Sequence, residues 1–102
     1  MTERHRVCRL DELAEGEGRE FVVADRVLAV YLLDGQVYAL DGICPHAGGP
    51  LAQGMVRNQV VTCPWHGWQY NVCTGQHRIN PKICVQTFAA TVDDGVVYVN
   101  MP

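Results

Sequence analysis

Two short stretches carry the residues able to do chemistry: Cys44-Pro45-His46 and Cys63-Pro64-Trp65-His66. Each offers one thiolate and one imidazole. Those donors suit zinc, copper or iron–sulfur sites rather than magnesium or calcium, and donor type alone goes no further. The flanks add geometry. Gly48, Gly49 and Gly67 lack a Cβ, so backbone N–H groups there can approach a bound group closely, while Pro45, Pro50 and Pro64 stiffen the turns. A structural zinc site with two Cys and two His ordinarily spaces its cysteines about two to four residues apart, a spacing absent here. A Cys63 nucleophile with His66 as its base would need an orienting third group, and the sequence presents none.

The other candidates have plainer readings. Cys8, Cys73 and Cys84 lie on or beside apolar runs and read as small buried hydrophobes. His5 and His77 have no partner at ligand spacing and read as surface or internally satisfied histidines. Leu51 reads as a loop-packing residue, and Trp65 and Trp68 as either a water shield beside His66 or filling for a small core.

Composition limits what these residues can serve. With 102 residues, 48% hydrophobic and 19% charged, the chain has the size and apolar content of one globular domain. A net charge of -3 without clustered Lys and Arg argues against a nucleic-acid partner. The first twenty residues are too charged to contain the apolar stretch of a secretory leader. The longest apolar runs, such as Val27 to Leu33, are far short of the roughly 20 residues a membrane helix needs. No membrane association and a cytoplasmic location are therefore expected. In that reducing compartment five cysteines, an odd number, point to metal rather than to disulfides. The acidic residues crowding the N-terminal region read as solvated surface, with an acidic docking face as the alternative.

The elements that must position the site are short strands. Runs rich in Val, Ile, Tyr and Phe recur between Gly, Asp, Asn and Pro, and predict an all-β domain, a small antiparallel sandwich or barrel. Strands are expected at about His5 to Leu10, Arg19 to Ala24, Arg26 to Leu33, Gln36 to Asp41, Met55 to Arg57, Val60 to Cys63, Cys84 to Val92 and Val96 to Asn100. Asp34-Gly35 and Asp94-Gly95 sit between apolar runs and predict tight hairpins, because both residue types tolerate positive φ. Asp11 to Gly18 has room for at most one helical turn before a loop. Residues 42–75, dense in Pro and Gly around the Cys and His, read as a binding subdomain. It would be inserted into a base built from residues 1–41 and 76–102.

The double motif Cys44-Pro45-His46-Ala47-Gly48-Gly49-Pro50-Leu51 and Cys63-Pro64-Trp65-His66-Gly67-Trp68 resembles the paired signature of the Rieske 2Fe-2S family, and the strand-rich flanks extend the resemblance over nearly the whole chain. It implies the Rieske fold and one 2Fe-2S cluster. Cys44 and Cys63 would hold one iron and His46 and His66 the other. Gly48, Gly49, Trp65, Gly67, Trp68 and Tyr70 would surround the cluster, and the segment Gln76 to Ile83, containing Pro81, would cover it. High-potential members carry an extra disulfide whose positions match Gly49 and Trp65, so that bridge cannot form here. They also place a Ser hydrogen-bond donor where this chain has Trp68, whereas Tyr70 matches a Tyr that can bond a cysteine sulfur. A reduction potential near the low end of the Rieske range, roughly -150 mV, is expected. Two ferric ions, two sulfides and two thiolates sum to about zero, so the cluster needs no counter-ion.

This pattern resembles the ferredoxins that serve Rieske-type oxygenases. It implies a one-electron carrier, not an enzyme by itself, passing electrons from a flavin-dependent reductase to a terminal oxygenase. The alternatives are the small Rieske subunit of an NAD(P)H-dependent nitrite reductase, bound to that enzyme's large subunit, and a redox-silent zinc interaction module.

Overall fold

The computed structural model describes residues 3–45, 48–65 and 67–102. Among the described residues ten strands run in chain order: β1 Glu3–Arg9, β2 Glu17–Val23, β3 Arg26–Leu33, β4 Gln36–Asp41, β5 Met55–Arg57, β6 Val60–Thr62, β7 Gln69–Asn71, β8 Thr87–Phe88, β9 Ala90–Asp93 and β10 Val96–Met101. The described residues contain no α-helix; two 3-10 turns, Leu10–Glu12 and Leu51–Gln53, serve as connectors. The strands form three antiparallel sheets, ordered β1-β10-β9, β2-β3-β4-β8 and β5-β6-β7. Among the described residues no helix is long and apolar enough to cross a membrane.

The central strand of the middle sheet, β3, is buried on both faces, and its sequence reflects this. After Arg26, strand β3 is a continuous apolar run, Val-Leu-Ala-Val-Tyr-Leu-Leu, rather than an alternating one, as a strand needs when each face meets a separate core. Leu28 and Val30 point into a core shared with Cys8, Val97, Val99 and Met101 of the terminal sheet. Ala29, Tyr31 and Leu33 point the other way, into a core shared with Leu51, Val61, Tyr70, Val72 and the two motif cysteines. Strand β10 touches only one core and alternates accordingly, with Val97, Val99 and Met101 inward. The fully buried Tyr31 donates its hydroxyl to the Leu51 carbonyl at 3.1 Å, tying the middle sheet to the turn that follows the first cysteine loop.

Both Asp-Gly hairpins form as expected. Asp34 and Gly35 have φ of 52° and 76°, and Asp94 and Gly95 51° and 73°, the two positive values of a type I′ turn. Two further hairpins of the same kind, at Ala24-Asp25 and Asn58-Gln59, use no glycine. Ala24, at φ 50°, bears the steric cost of an L-residue in the left-handed region, about 1 kcal/mol. Ala24→Asn is therefore expected to stabilise the protein by roughly 0.5–1 kcal/mol, since Asn tolerates that region. The thermal midpoint would rise by a few degrees; an unchanged or lower midpoint would count against the strain.

Two strand expectations change. The single strand expected from Cys84 to Val92 is two. Strand β8 pairs with β4 in the middle sheet, and β9 pairs with β10 in the terminal sheet. The chain crosses between layers at Ala89, whose carbonyl accepts from Asn100 N at 2.9 Å. Strand β7 was not expected, because only Tyr70 of its three residues is apolar. Its pairing with β6 is nevertheless regular, with Val61 opposite Tyr70.

Candidate metal centre

Two loops rise from the third sheet and its junction with β4. The first leaves β4 at Asp41 and is closed by backbone bonds from Cys44 N to Gly49 O (2.9 Å), Gly48 N to Cys44 O (2.8 Å) and Leu51 N to Gly42 O (3.0 Å). The second joins β6 to β7 and is closed by Cys63 N donating to Trp68 O at 2.7 Å. Each loop turns at a glycine in the left-handed region, Gly48 at φ 75° and Gly67 at φ 74°. The two half-motifs thus use the same local device.

These loops bring the cysteines together. Cys44 and Cys63 are both buried, at 1% exposure, and their thiols are within hydrogen-bond reach of one another. Burial pushes the Cys63 thiol above its ordinary range. The Trp65 backbone N–H, bonded to its sulfur, works against this, and neighbouring Cys44 adds to the rise. Tyr70, fully buried on β7, lies with its hydroxyl 3.3 Å from the Cys44 sulfur. Burial first, then contact with Cys44, pushes the Tyr70 hydroxyl upward, so it stays a phenol able to donate.

The glycine of the first loop is required by contact. A Cβ on Gly49 would lie 2.7 Å from the Cys63 sulfur and 3.0–3.1 Å from Cγ and Cβ of Trp65. Positions 49 and 65 therefore face each other across van der Waals contact, nearer than the roughly 3.5–4.5 Å between the Cβ atoms of a disulfide. Here the half-exposed Trp65 covers Gly49 instead, and none of the five cysteines is in a disulfide.

Other expected residues fall as follows. His46 and His66 lie outside the described residues. Trp68 packs against the core below the loops and meets His77 edge-on, with ring centroids 4.8 Å apart. His77 is internally satisfied, its Nδ1 accepting from the Ile79 and Asn80 N–H groups at 3.1 Å each. Leu51 is fully buried, as a loop-packing residue. Pro81 is exposed and lines a recess with Val60, Asn71 and Thr74. The recess beside the second loop is lined instead by Ile79, Asn80 and Ile83, together with Gly67 and Trp68. Of the remaining cysteines only Cys8 is buried: Cys73 is half-buried, and Cys84, which pairs with Gln76 through a single bridge outside the strands, is exposed.

The donor chemistry fits a compact, highly charged metal group. The Cys63 thiol, buried beside the Cys44 sulfur, resists ionisation on its own, by desolvation and then by its neighbour. A pair of ferric ions with sulfides would offset both costs, leaving a nearly neutral assembly. Gly49 keeps the backbone open beside the Cys63 sulfur, and the Trp65 N–H and Tyr70 hydroxyl offer hydrogen bonds to the two sulfurs. An all-β scaffold presenting paired buried thiols on two Gly-Pro loops is suited to an iron–sulfur electron-transfer domain.

The chain belongs to the Rieske [2Fe-2S] domain family, whose model matches residues 3–89. Its cofactor is accordingly a Rieske-type 2Fe-2S cluster and its activity is electron transfer. It is 37% identical over 95 residues to the ferredoxin component of the alkene monooxygenase system of Xanthobacter autotrophicus, covering 91% of this chain and 77% of that protein. It is 34% identical, with a TM-score of 0.84, to the ferredoxin chain in a complex of reduced oxygenase and oxidised ferredoxin in carbazole 1,9a-dioxygenase, covering 94% and 91% of the two chains. A structure from Mycobacterium tuberculosis named as an NADH-dependent nitrite reductase small subunit has a TM-score of 0.92 over 100% of this chain and 97% of that one, at 23% identity. That likeness shows the fold alone.

Proposed function

We propose that this protein is a low-potential Rieske ferredoxin, not catalytic by itself. It would carry single electrons from a flavin-dependent reductase to a terminal oxygenase in the cytoplasm. The observation that carries the reading is the pair of buried thiols on matched loops with Tyr70 against one sulfur. In this reading Cys44 and Cys63 hold the inner iron and His46 and His66 the outer one. Gly49, Trp65 and Trp68 keep water from the inner side, and residues 42–75 form a binding subdomain within one domain. When bound, the cluster supplies a one-electron ferric/ferrous couple.

The oxygenase assignment is supported by the likeness to ferredoxin components of oxygenase systems and to a ferredoxin seated on an oxygenase. The nitrite reductase alternative has only a fold likeness behind it. Visible absorption together with EPR of the dithionite-reduced protein tests the cluster. The expected result is a Rieske-type spectrum, and a colourless zinc protein would overturn the reading. Copurification with a large sirohaem protein would overturn the oxygenase assignment.

Tyr70 is expected to raise the potential by donating to the Cys44 sulfur. Tyr70→Phe removes one hydrogen bond of about 1 kcal/mol, equivalent to about 40 mV for a one-electron couple. Voltammetry of the variant should show a potential lower by that order, below a wild-type value near the low end of the Rieske range, roughly -150 mV. An unchanged potential would remove Tyr70 from the tuning groups.

A further inference from the structure

Charge is segregated along this chain in a way its net value conceals. Between Asp41 and Asp93 there is no Asp or Glu, so all 11 carboxylate side chains belong to the flanking segments. The intervening stretch, which contains both cysteine loops, carries Arg57, Arg78 and Lys82. All three are exposed. The ion pairs seen among the described residues engage other cations: Arg4 with Asp93 at 3.1 Å, Arg26 with Asp41 at 3.2 Å, Arg9 with Asp11, and His5 near Glu3. Within the described residues Arg57, Arg78 and Lys82 form no ion pair.

The fold gathers two of these cations beside the second cysteine loop. Arg57 and Arg78 line one recess of about 440 Å³ on the β5-β6-β7 sheet, with Met55, Thr62 and Gln69. Arg78 is fixed against Gln69, its backbone N donating to Gln69 O at 3.0 Å and its guanidinium reaching Oε1 at 3.5 Å. Arg78 and Gln69 also line the adjoining recess, of about 320 Å³, which runs to Gly67 and Trp68 of the loop. Exposed apolar groups accompany the cations: Ile79 at 88%, Met55 at 71% and Trp65 at 50%. Ile79 sits on a turn held by His77 Nδ1 and by Asn80 Oδ1 accepting from Lys82 N at 3.0 Å, so it is presented rigidly. The carboxylates bordering this face are set back. Glu17 lines a separate recess beyond Met55, and Asp41 is paired with Arg26.

We infer that the surface running from the second cysteine loop across Arg78 to Arg57 is the docking face for a redox partner, and that the partner meets it with a carboxylate-bearing surface. The inference rests on the electron-carrier reading and names its partner's chemistry. Apolar anchors within a charged rim are the usual anatomy of a transient interface, and unneutralised charge steers encounter. The chain as a whole is acidic, so local and net charge predict opposite behaviour.

Small redox ions separate the two. Reduced holo-protein is mixed in stopped flow with ferricyanide, an anionic oxidant that is reduced to ferrocyanide by one electron while the protein is oxidised, with no bond made or broken. Raising salt from about 10 mM to about 150 mM shortens the Debye length from about 30 Å to about 8 Å. A cationic face makes the rate fall several-fold over that range. At low salt, poly-L-glutamate should slow the wild type several-fold by occupying the face. Arg57→Glu with Arg78→Glu should lower the low-salt rate about tenfold, within the range of electrostatic steering, and should abolish the poly-L-glutamate effect. Arg6→Glu on β1, an equal charge change per site in the terminal sheet, should alter the rate less than about twofold by the same steering argument. The visible spectrum of each variant confirms an intact cluster before it is compared. A ferricyanide rate that rises with salt, or an Arg6→Glu effect as large as that of either arginine in the face, would overturn the inference while leaving the carrier reading intact. Failure of the wild type to be reduced and reoxidised at all would instead overturn the carrier reading.

Discussion

Cys63→Ala protein is expected to purify colourless, with iron falling from about two atoms per chain to near zero. The visible absorption and the reduced-state EPR signal should disappear together. The effect is large because alanine supplies no donor and leaves a gap where the Cys63 sulfur met Cys44 and the position-49 backbone. Cys8→Ala supplies the contrast. Cys8 is equally buried, at 1% exposure, but it lies on β1 in the core between the terminal and middle sheets. That variant loses only packing, so it should keep full iron content with a modest drop in stability. Equal iron loss in the two variants would mean that the Cys63 effect reports misfolding rather than ligation.

Gly75→Ala is expected to cost about 3 kcal/mol or more, combining left-handed strain with overpacking, and to lower the thermal midpoint by about 12–20 °C. Gly75 has φ 78°, and a Cβ there would lie 2.2 Å from the Val85 carbonyl oxygen and 3.0 Å from the Thr87 side chain. The obstruction is backbone, so the chain itself must move. Moving it disturbs Val85 N to Gly75 O at 2.8 Å and Gly75 N to Asn71 O at 2.7 Å, the bonds that hold the segment leading to β8 against the end of β7. Gly35→Ala isolates the conformational part. Gly35 has nearly the same φ, 76°, but nothing within 4 Å of its would-be Cβ, so a loss of only about 1 kcal/mol is expected. Similar midpoints for the two variants would show that the close approach at Gly75 carries no energy.

Features whose physics is local were legible in the residues. An Asp-Gly pair between apolar runs specifies its own turn, so the hairpins at residues 34–35 and 94–95 needed no tertiary information. Ala24-Asp25 and Asn58-Gln59 adopt the same turn without glycine, and the flanking strand pairing imposes it. Strand β7 escaped notice because Gln69 and Asn71 are polar and Tyr70 alone faces the core. The break at Ala89 was invisible because Cys84 to Val92 is uniformly compatible with extended chain; only two competing sheets decide where each half pairs. The burial expected for Cys84 likewise failed for a tertiary reason, since that cysteine lies before β8, outside the strands, and joins Gln76 only through an isolated bridge.

The sequence by itself determined the paired Cys-x-His and Cys-x-x-His loops, their glycines and prolines, the all-β class and the confinement of every carboxylate to the flanks. These are matters of residue type and short spacing. Tertiary structure alone decided that Cys44 and Cys63 share one buried spot, that Trp65 closes over Gly49, that the Tyr70 hydroxyl reaches the Cys44 sulfur, and that Arg57 and Arg78 meet in one recess. Each of those contacts joins residues on different strands or loops. Their distances are set by how the sheets stack and pair, which no local pattern along the chain encodes.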